Sequence, residues 1–152
     1  MADPALGTTS IAQLGIIVRD VEAKARAWST ILGLPMPQIS VTDTVEVAHT
    51  TYQGHPSAAR AKLAFFHMGP IDVELIEPID GPSTWQDHLT THGESMHHIA
   101  FRVQGMDEKL AYLEAKGIRP VQRGDYAGGR YTYLDGVEQL GLILELLEDE
   151  NP

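Results

Sequence analysis

The sequence predicts an α+β fold made of two tandem βαβββ modules within one domain. Three observations predict it. An alternating strand, an amphipathic helix and a glycine stop occur twice, in "QLGIIVRDVEAKARAWSTILGL" (13–34) and "HIAFRVQGMDEKLAYLEAKGI" (98–118), with Lys24 and Lys109 coinciding at an offset of 85. Both halves end on an apolar strand carrying Glu-Leu-x-Glu, "DVELIEP" (72–78) and "LILELLED" (142–149). Between helix and end, each half has room for two more strands.

In the first module Leu14, Ile16 and Val18 alternate as a strand. Asp20 is placed to cap a helix whose stripe is Val21, Ala25, Trp28 and Leu32, and Gly33 stops it. "VEVAHTTY" (45–52) and "AKLAFFHM" (61–68) read as the next two strands, and 72–78 as the last. The link "DGPSTWQDHLTTHG" (80–93) opens with a capping box, Ser83 to Gln86, and reads as a short helix. In the second module Ile99, Phe101 and Val103 alternate, Leu110 and Leu113 form the helical stripe, and Gly117 stops it. "IRPVQR" (118–123) and "RYTYL" (130–134) precede the final strand, with "AGG" (127–129) suited to a hairpin. Neither half is long enough to be comfortable alone, so residues 1–152 are read as a single domain. Module one spans about 11–79, the linker 80–95 and module two about 96–148.

Composition sets the bounds. With 152 residues, 43% of them hydrophobic and 21% charged, the chain can bury a real core and has the balance of a soluble globular protein. It has no apolar run long enough to cross a bilayer, and "MADPALGTTS" lacks the features of a secretory signal. The absence of cysteine excludes disulfides and thiolate metal sites. The expectation is a cytoplasmic protein with no membrane partner. A net charge of −10 speaks against binding a nucleic acid. Beyond Glu148 the acidic tail reads as a solvated end.

Side chains alternate across a strand, and one face of each strand must pack on its module's helix. The bulky apolar sets take that face: Leu14, Ile16 and Val18; Val73 and Leu75; Ile99, Phe101 and Val103; Leu144 and Leu146. The opposite face then receives Gln13, Glu74, His98 and Glu145, with the small Gly15 and Ala100 leaving space beside them. Two carboxylates, an imidazole and an amide oxygen suit a divalent cation. A buried glutamate can also pair with an arginine, and a strand histidine can be an ordinary satisfied polar residue. His98 is the functional candidate; His97 goes to the helix side or the strand edge as a structural or supporting residue.

The pieces "LGIIVRDVEAKARAWSTILGL", "VELIEP", "HHIAFRV", "LEAKGI", "AGGRYTYL" and "GLILELLE" resemble the vicinal oxygen chelate (glyoxalase/bleomycin resistance/dioxygenase) superfamily. Within it the likeness is greatest to methylmalonyl-CoA epimerase-like and glyoxalase I-like proteins. The resemblance implies a curved, partly closed mixed sheet with an open cleft, and a homodimer. It places the four metal ligands on Gln13, Glu74, His98 and Glu145. Epimerases of this type usually carry histidine first and glutamine second, so Gln13 and Glu74 depart from them and are closer to one class of glyoxalase I. The segment "LDGVEQLG" (134–141) also replaces the epimerases' substrate-recognition stretch.

A set with one histidine argues against oxygen activation, which wants two. It argues for a divalent ion (zinc, cobalt, nickel or manganese) acting as a Lewis acid on a carbonyl or thioester substrate. Glu145 is the candidate base and ligand, with Glu74 as second catalytic carboxylate and ligand. The reading is an isomerase or epimerase. The alternatives are a glyoxalase I-type lyase and a small-molecule binding protein without chemistry. Arg60 with Lys62, and Arg123 with Arg130, are weaker candidates for binding substrate, Arg130 and Lys62 foremost.

Overall fold

In a computed structural model of the chain, which describes residues 2–152, ten strands form one mixed sheet. The first half contributes β1 (Gln13–Ile17), α1 (Val21–Leu32), β2 (Ser40–Val41), α2 (Val45–Ala48), β3 (Thr51–Tyr52), β4 (His55–Pro56), β5 (Arg60–Met68) and β6 (Ile71–Ile79). After α3 (Thr84–His92) come β7 (Ser95–Arg102), α4 (Met106–Ala115), β8 (Arg119–Tyr126), β9 (Gly129–Gly136), α5 (Val137–Leu140) and β10 (Leu142–Asp149). The order across the sheet is β2-β5-β6-β1-β7-β10-β9-β8-β3-β4. Two βαβββ runs, β2-β5-β6-β1 and β7-β10-β9-β8, therefore meet at the antiparallel β1–β7 pair, and the sheet curls into a half-barrel. Within each run the first and last strands lie side by side and parallel, β1 with β6 and β7 with β10. The four strands at the centre are thus the first and last of both runs.

The helices form where the side chains supply caps and an apolar stripe. Asp20 Oδ1 accepts from the Ala23 N–H at 3.0 Å, and Gly33 closes α1 in the left-handed conformation at φ 67°. Val21 and Ala25 are buried against Val18, Phe66, Val73 and Leu75, and Trp28 stacks on Phe66 with ring centroids 5.8 Å apart. Leu32 is 51% exposed, so the buried stripe stops one turn earlier than the spacing suggests. On α3, Ser83 Oγ accepts from the Gln86 N–H at 3.0 Å, as the capping box predicts. Gly105 precedes α4 without a side-chain cap; Glu148, from distant β10, accepts from the Met106 N–H at 2.9 Å instead. Leu110 and Leu113 pack with Val103, Leu144 and Leu146 to form the second helix-side cluster. A third cluster, including Ile17, Ile76, Trp85 and Tyr133, lies on the opposite face of the sheet.

Two sequence expectations are corrected. Residues 45–52 are not one strand. Val45–Ala48 form a single helical turn, with the Ala48 and His49 N–H groups bonding back to Thr44 and Val45, and only Thr51–Tyr52 are extended. The alternation of Val45 and Val47 is too short to distinguish period 2 from period 3.6. The second strand of the first run is instead Ser40–Val41, paired on β5. The intervening segment crosses to the other half, where β3 pairs with β8. The acidic tail is also not wholly solvated. Asp149 ends β10, only partly exposed, and accepts hydrogen bonds from Arg102 and Tyr126.

Candidate metal centre

The central strands β6, β1, β7 and β10 each present one of the four polar candidates to the same face. Gly15 sits in register between Glu74 and His98, while Gln13 lies opposite Ala100, which in turn neighbours Glu145. Paired residues share a face, so all four side chains point away from the helices. His98 is fully buried, and Glu145, Glu74 and Gln13 are 4%, 7% and 8% exposed. One donor atom each from Glu74, His98 and Glu145 lie within 4.8 Å of one another. His98 Nε2 is 2.9 Å from Glu145 Oε2 and 3.5 Å from Glu74 Oε2. Gln13 borders the same cavity, of about 510 Å³, as Glu74 and Glu145.

These three donors fit a divalent cation. Glu74 Oε2, His98 Nε2 and Glu145 Oε2 are buried and make no hydrogen bond, among the described residues. Buried polar atoms without well-formed hydrogen bonds cost about 1–3 kcal/mol each, and although His98 Nε2 and Glu145 Oε2 are close enough to pair at 2.9 Å, a cation between the three would serve all of them at once. Without an ion their charges interact with one another. Burial opposes charging His98, but the Glu145 and Glu74 carboxylates outweigh it and raise its pKa to about 9. Burial raises the Glu74 pKa, His98 pulls it down and the Glu145 charge pushes it up again.

The site depends on two features of β1 and β7. Gly15 is the first. A Cβ at this position would overlap the His98 imidazole, so only glycine lets the ring lie across β1. A β-bulge is the second. Gly15 pairs with His98 but Ile16 pairs with Met96, which leaves His97 as the extra residue. His97 was expected on the helix side or edge; the bulge turns it towards His98 instead, because alternation fails where two residues oppose one. The His97 and His98 Nδ1 atoms are 2.9 Å apart, and His97 Nε2 is 3.1 Å from Thr84 Oγ1.

The proton placement follows. Burial, with His98 and His88 nearby, holds the His97 pKa well below 6.5, so that ring is neutral. A His98 that presents its Nε2 lone pair carries its proton on Nδ1 and donates it to His97 Nδ1; His97 Nε2–H then donates to Thr84. Such supporting bonds fix tautomer and ring orientation, and their loss typically costs 10–100-fold in metal affinity. His97→Leu is therefore expected to weaken cobalt or zinc binding by about that factor. His97→Gln, which retains an acceptor, should lose less. Competition against a chromophoric chelator measures both, and unchanged affinity in His97→Leu would rule out the role.

The cavity wall is largely aromatic and aliphatic, with Phe65, Trp85, Tyr131 and Tyr133 prominent. Tyr133 lies with its ring 4.9 Å from that of His98 and accepts a hydrogen bond from Trp85 Nε1 at 3.1 Å. Burial pushes the Tyr133 hydroxyl well above 10, so it stays neutral. Trp85 is thus both core and cavity wall. Sequence reading did not single out Tyr131 and Tyr133, although the parity rule extended to "RYTYL" puts both on the cavity face. The weaker cationic candidates do not border this cavity. Lys62 pairs with Glu77 at 3.4 Å, and Arg130 is tied to Glu148 at 2.7 Å and to Asp107 at 3.2 Å. Their registers explain it: Lys62 alternates with the cavity-facing Phe65 row, and Arg130 is paired with Glu148, next to helix-facing Leu146. Arg102 does border the cavity.

Comparison with known proteins gives a consistent picture. The family described as "Glyoxalase/Bleomycin resistance protein/Dioxygenase superfamily" matches residues 12–133. An uncharacterised protein of Bacillus subtilis (strain 168), YqjC, is 26% identical over 138 residues, covering 89% of each chain. A methylmalonyl-CoA epimerase from Mycobacterium tuberculosis superimposes with a TM-score of 0.67 at 22% identity, covering 98% of this chain and 93% of its own. A hypothetical protein from Bacillus halodurans C-125 does so with a TM-score of 0.66 at 22% identity, covering 93% of this chain and 95% of its own. The two structural likenesses are likenesses of fold. Among the described residues no helix is long and apolar enough to cross a membrane.

Proposed function

The chain belongs to the Glyoxalase/Bleomycin resistance protein/Dioxygenase superfamily, and on that premise we propose that it is a metal-dependent isomerase or epimerase acting next to a carbonyl. The observation that carries this reading is the set of three buried donors without hydrogen-bond partners, two of them on carboxylates at the wall of an apolar cavity. The fold shared with a methylmalonyl-CoA epimerase supports the reaction class.

Gln13, Glu74, His98 and Glu145 would hold the ion, and a divalent cation there supplies Lewis-acid polarisation of a carbonyl oxygen, worth several kcal/mol of enolate stabilisation. Glu145 then takes the proton from the adjacent carbon. The C–H bond breaks, its electron pair moves towards the carbonyl oxygen, and the carboxylate holds the proton until it returns. Glu74 reaches the site from the other side, on β6 rather than β10, so the two carboxylates can serve opposite faces of a planar enolate. Tyr131, Tyr133 and Trp85 exclude water from this step. The donor types, with glutamine first and glutamate second, favour a second reading: a glyoxalase I-type lyase that moves the same kind of proton on a thiol–aldehyde adduct.

The test joins metal analysis to isotope exchange. Elemental analysis of protein purified without chelators is expected to find about one divalent ion per chain, as a single buried four-donor site allows. Metal-loaded protein in heavy water should introduce deuterium alpha to the carbonyl of 2-methylacyl thioesters or of hemithioacetals, whichever is the substrate class. Protein that takes up no metal and exchanges no proton is a binding protein on this fold, and the enzymatic reading fails.

A further inference from the structure

We infer that Arg102 is an anion subsite at the far end of the cavity. The substrate is then a small carbonyl compound with an apolar middle and a single carboxylate roughly 10–13 Å from the reacting carbonyl, given about 3.3 Å per strand residue. This deepens the proposed function and rests on it. His98, Ala100 and Arg102 share one face of β7, away from the helices; Ala100 lies beside Glu145 and Arg102 beside Leu147. The cavity wall therefore runs from the Glu145 carboxylate, past Leu147, to the Arg102 guanidinium.

Among the described residues Arg102 is the one lysine or arginine that borders the cavity. It is also held ready. Its Nη1 donates to both Asp149 oxygens, at 3.1 and 2.9 Å, and the Tyr126 hydroxyl donates to Asp149 Oδ1 at 3.1 Å. Its Nε and Nη2 make no hydrogen bond among the described residues, and its side chain is 50% exposed. One edge of the fork is thus anchored and the other is open, the geometry that takes a carboxylate through two parallel bonds. Arg130, by contrast, spends Nε, Nη1 and Nη2 on Glu148 and Asp107. The same cavity is rimmed by Asp43, Asp72 and Asp125. One guanidinium among three carboxylates admits one negative charge and repels a ligand carrying several.

The test uses two hydroxamates, which chelate a metal as an enolate analogue would. Suberic acid monohydroxamate carries a terminal carboxylate; octanohydroxamate has the same chain without it. On cobalt-loaded protein, isothermal titration should find the acid binding about 10-fold tighter or more, the range for a charged hydrogen-bonded pair. In Arg102→Ala the two ligands should bind equally, and Arg102→Lys should fall between, because an ammonium lacks the fork. Equal binding to the unmodified protein, or an advantage that survives in Arg102→Ala, overturns the subsite while leaving the metal reading in place. If cobalt is bound but neither hydroxamate binds, the subsite is overturned and the metal reading stands; if cobalt is not taken up, the metal reading fails and the subsite with it.

Discussion

Gly15→Ala is expected to abolish stoichiometric metal binding. The added methyl would occupy the space of the His98 imidazole. That ring is confined: it is fully buried, packed on Tyr133 and lies with its Nδ1 2.9 Å from that of His97. Either His98 swings out and leaves Glu74 and Glu145 facing each other, or the strands separate. Overpacking of this kind costs about 1–3 kcal/mol and sometimes more, so the melting temperature should fall by several degrees. The double variant Gly15→Ala/His98→Ala removes the clash by vacating the ring. It should regain much of the thermal stability and none of the metal. Elemental analysis and thermal unfolding of the pair decide the matter; a Gly15→Ala protein with a full complement of metal would show that the ring does not lie across β1.

Glu145→Gln should reduce turnover by about 10²–10⁴-fold, the usual contribution of a positioned general base. The substitution preserves shape and leaves an amide oxygen that can still approach a cation, so metal content should fall less than activity. The circular dichroism spectrum should match that of the parent protein, since the amide has the size and shape of the carboxylate it replaces. Deuterium exchange into substrate is the direct readout. A Glu145→Gln protein that exchanges at the parent rate assigns the base elsewhere, with Glu74 the next candidate.

Much of the fold and the donor set was legible beforehand, for a physical reason. Strands packed on a helix must alternate, and β1, β6, β7 and β10 are long enough to show it. Ile16, Val73, Leu75, Leu144 and Leu146 do pack on the helix side, and Ile17, Ile76 and Ile143 on the other. The same rule misplaced His97 because a bulge is a property of the paired strand, not of the strand's own sequence. The same alternation puts Lys62 and Arg130 on the helix side, away from the cavity. The stretch 45–52 misled because a single turn and a short strand look alike over so few residues.

From the primary structure alone came the repeat, the helix caps at Asp20 and Ser83, and the selection of Gln13, Glu74, His98 and Glu145. Each depends on local chemistry or on periods of two and 3.6 residues, which a linear chain displays. The three-dimensional structure decided what depends on distances between segments far apart in sequence. It brought Glu74, His98 and Glu145 within 4.8 Å of one another. It set Gly15 beneath the imidazole and left one edge of Arg102 open, because strand pairing rather than sequence separation determines which side chains meet.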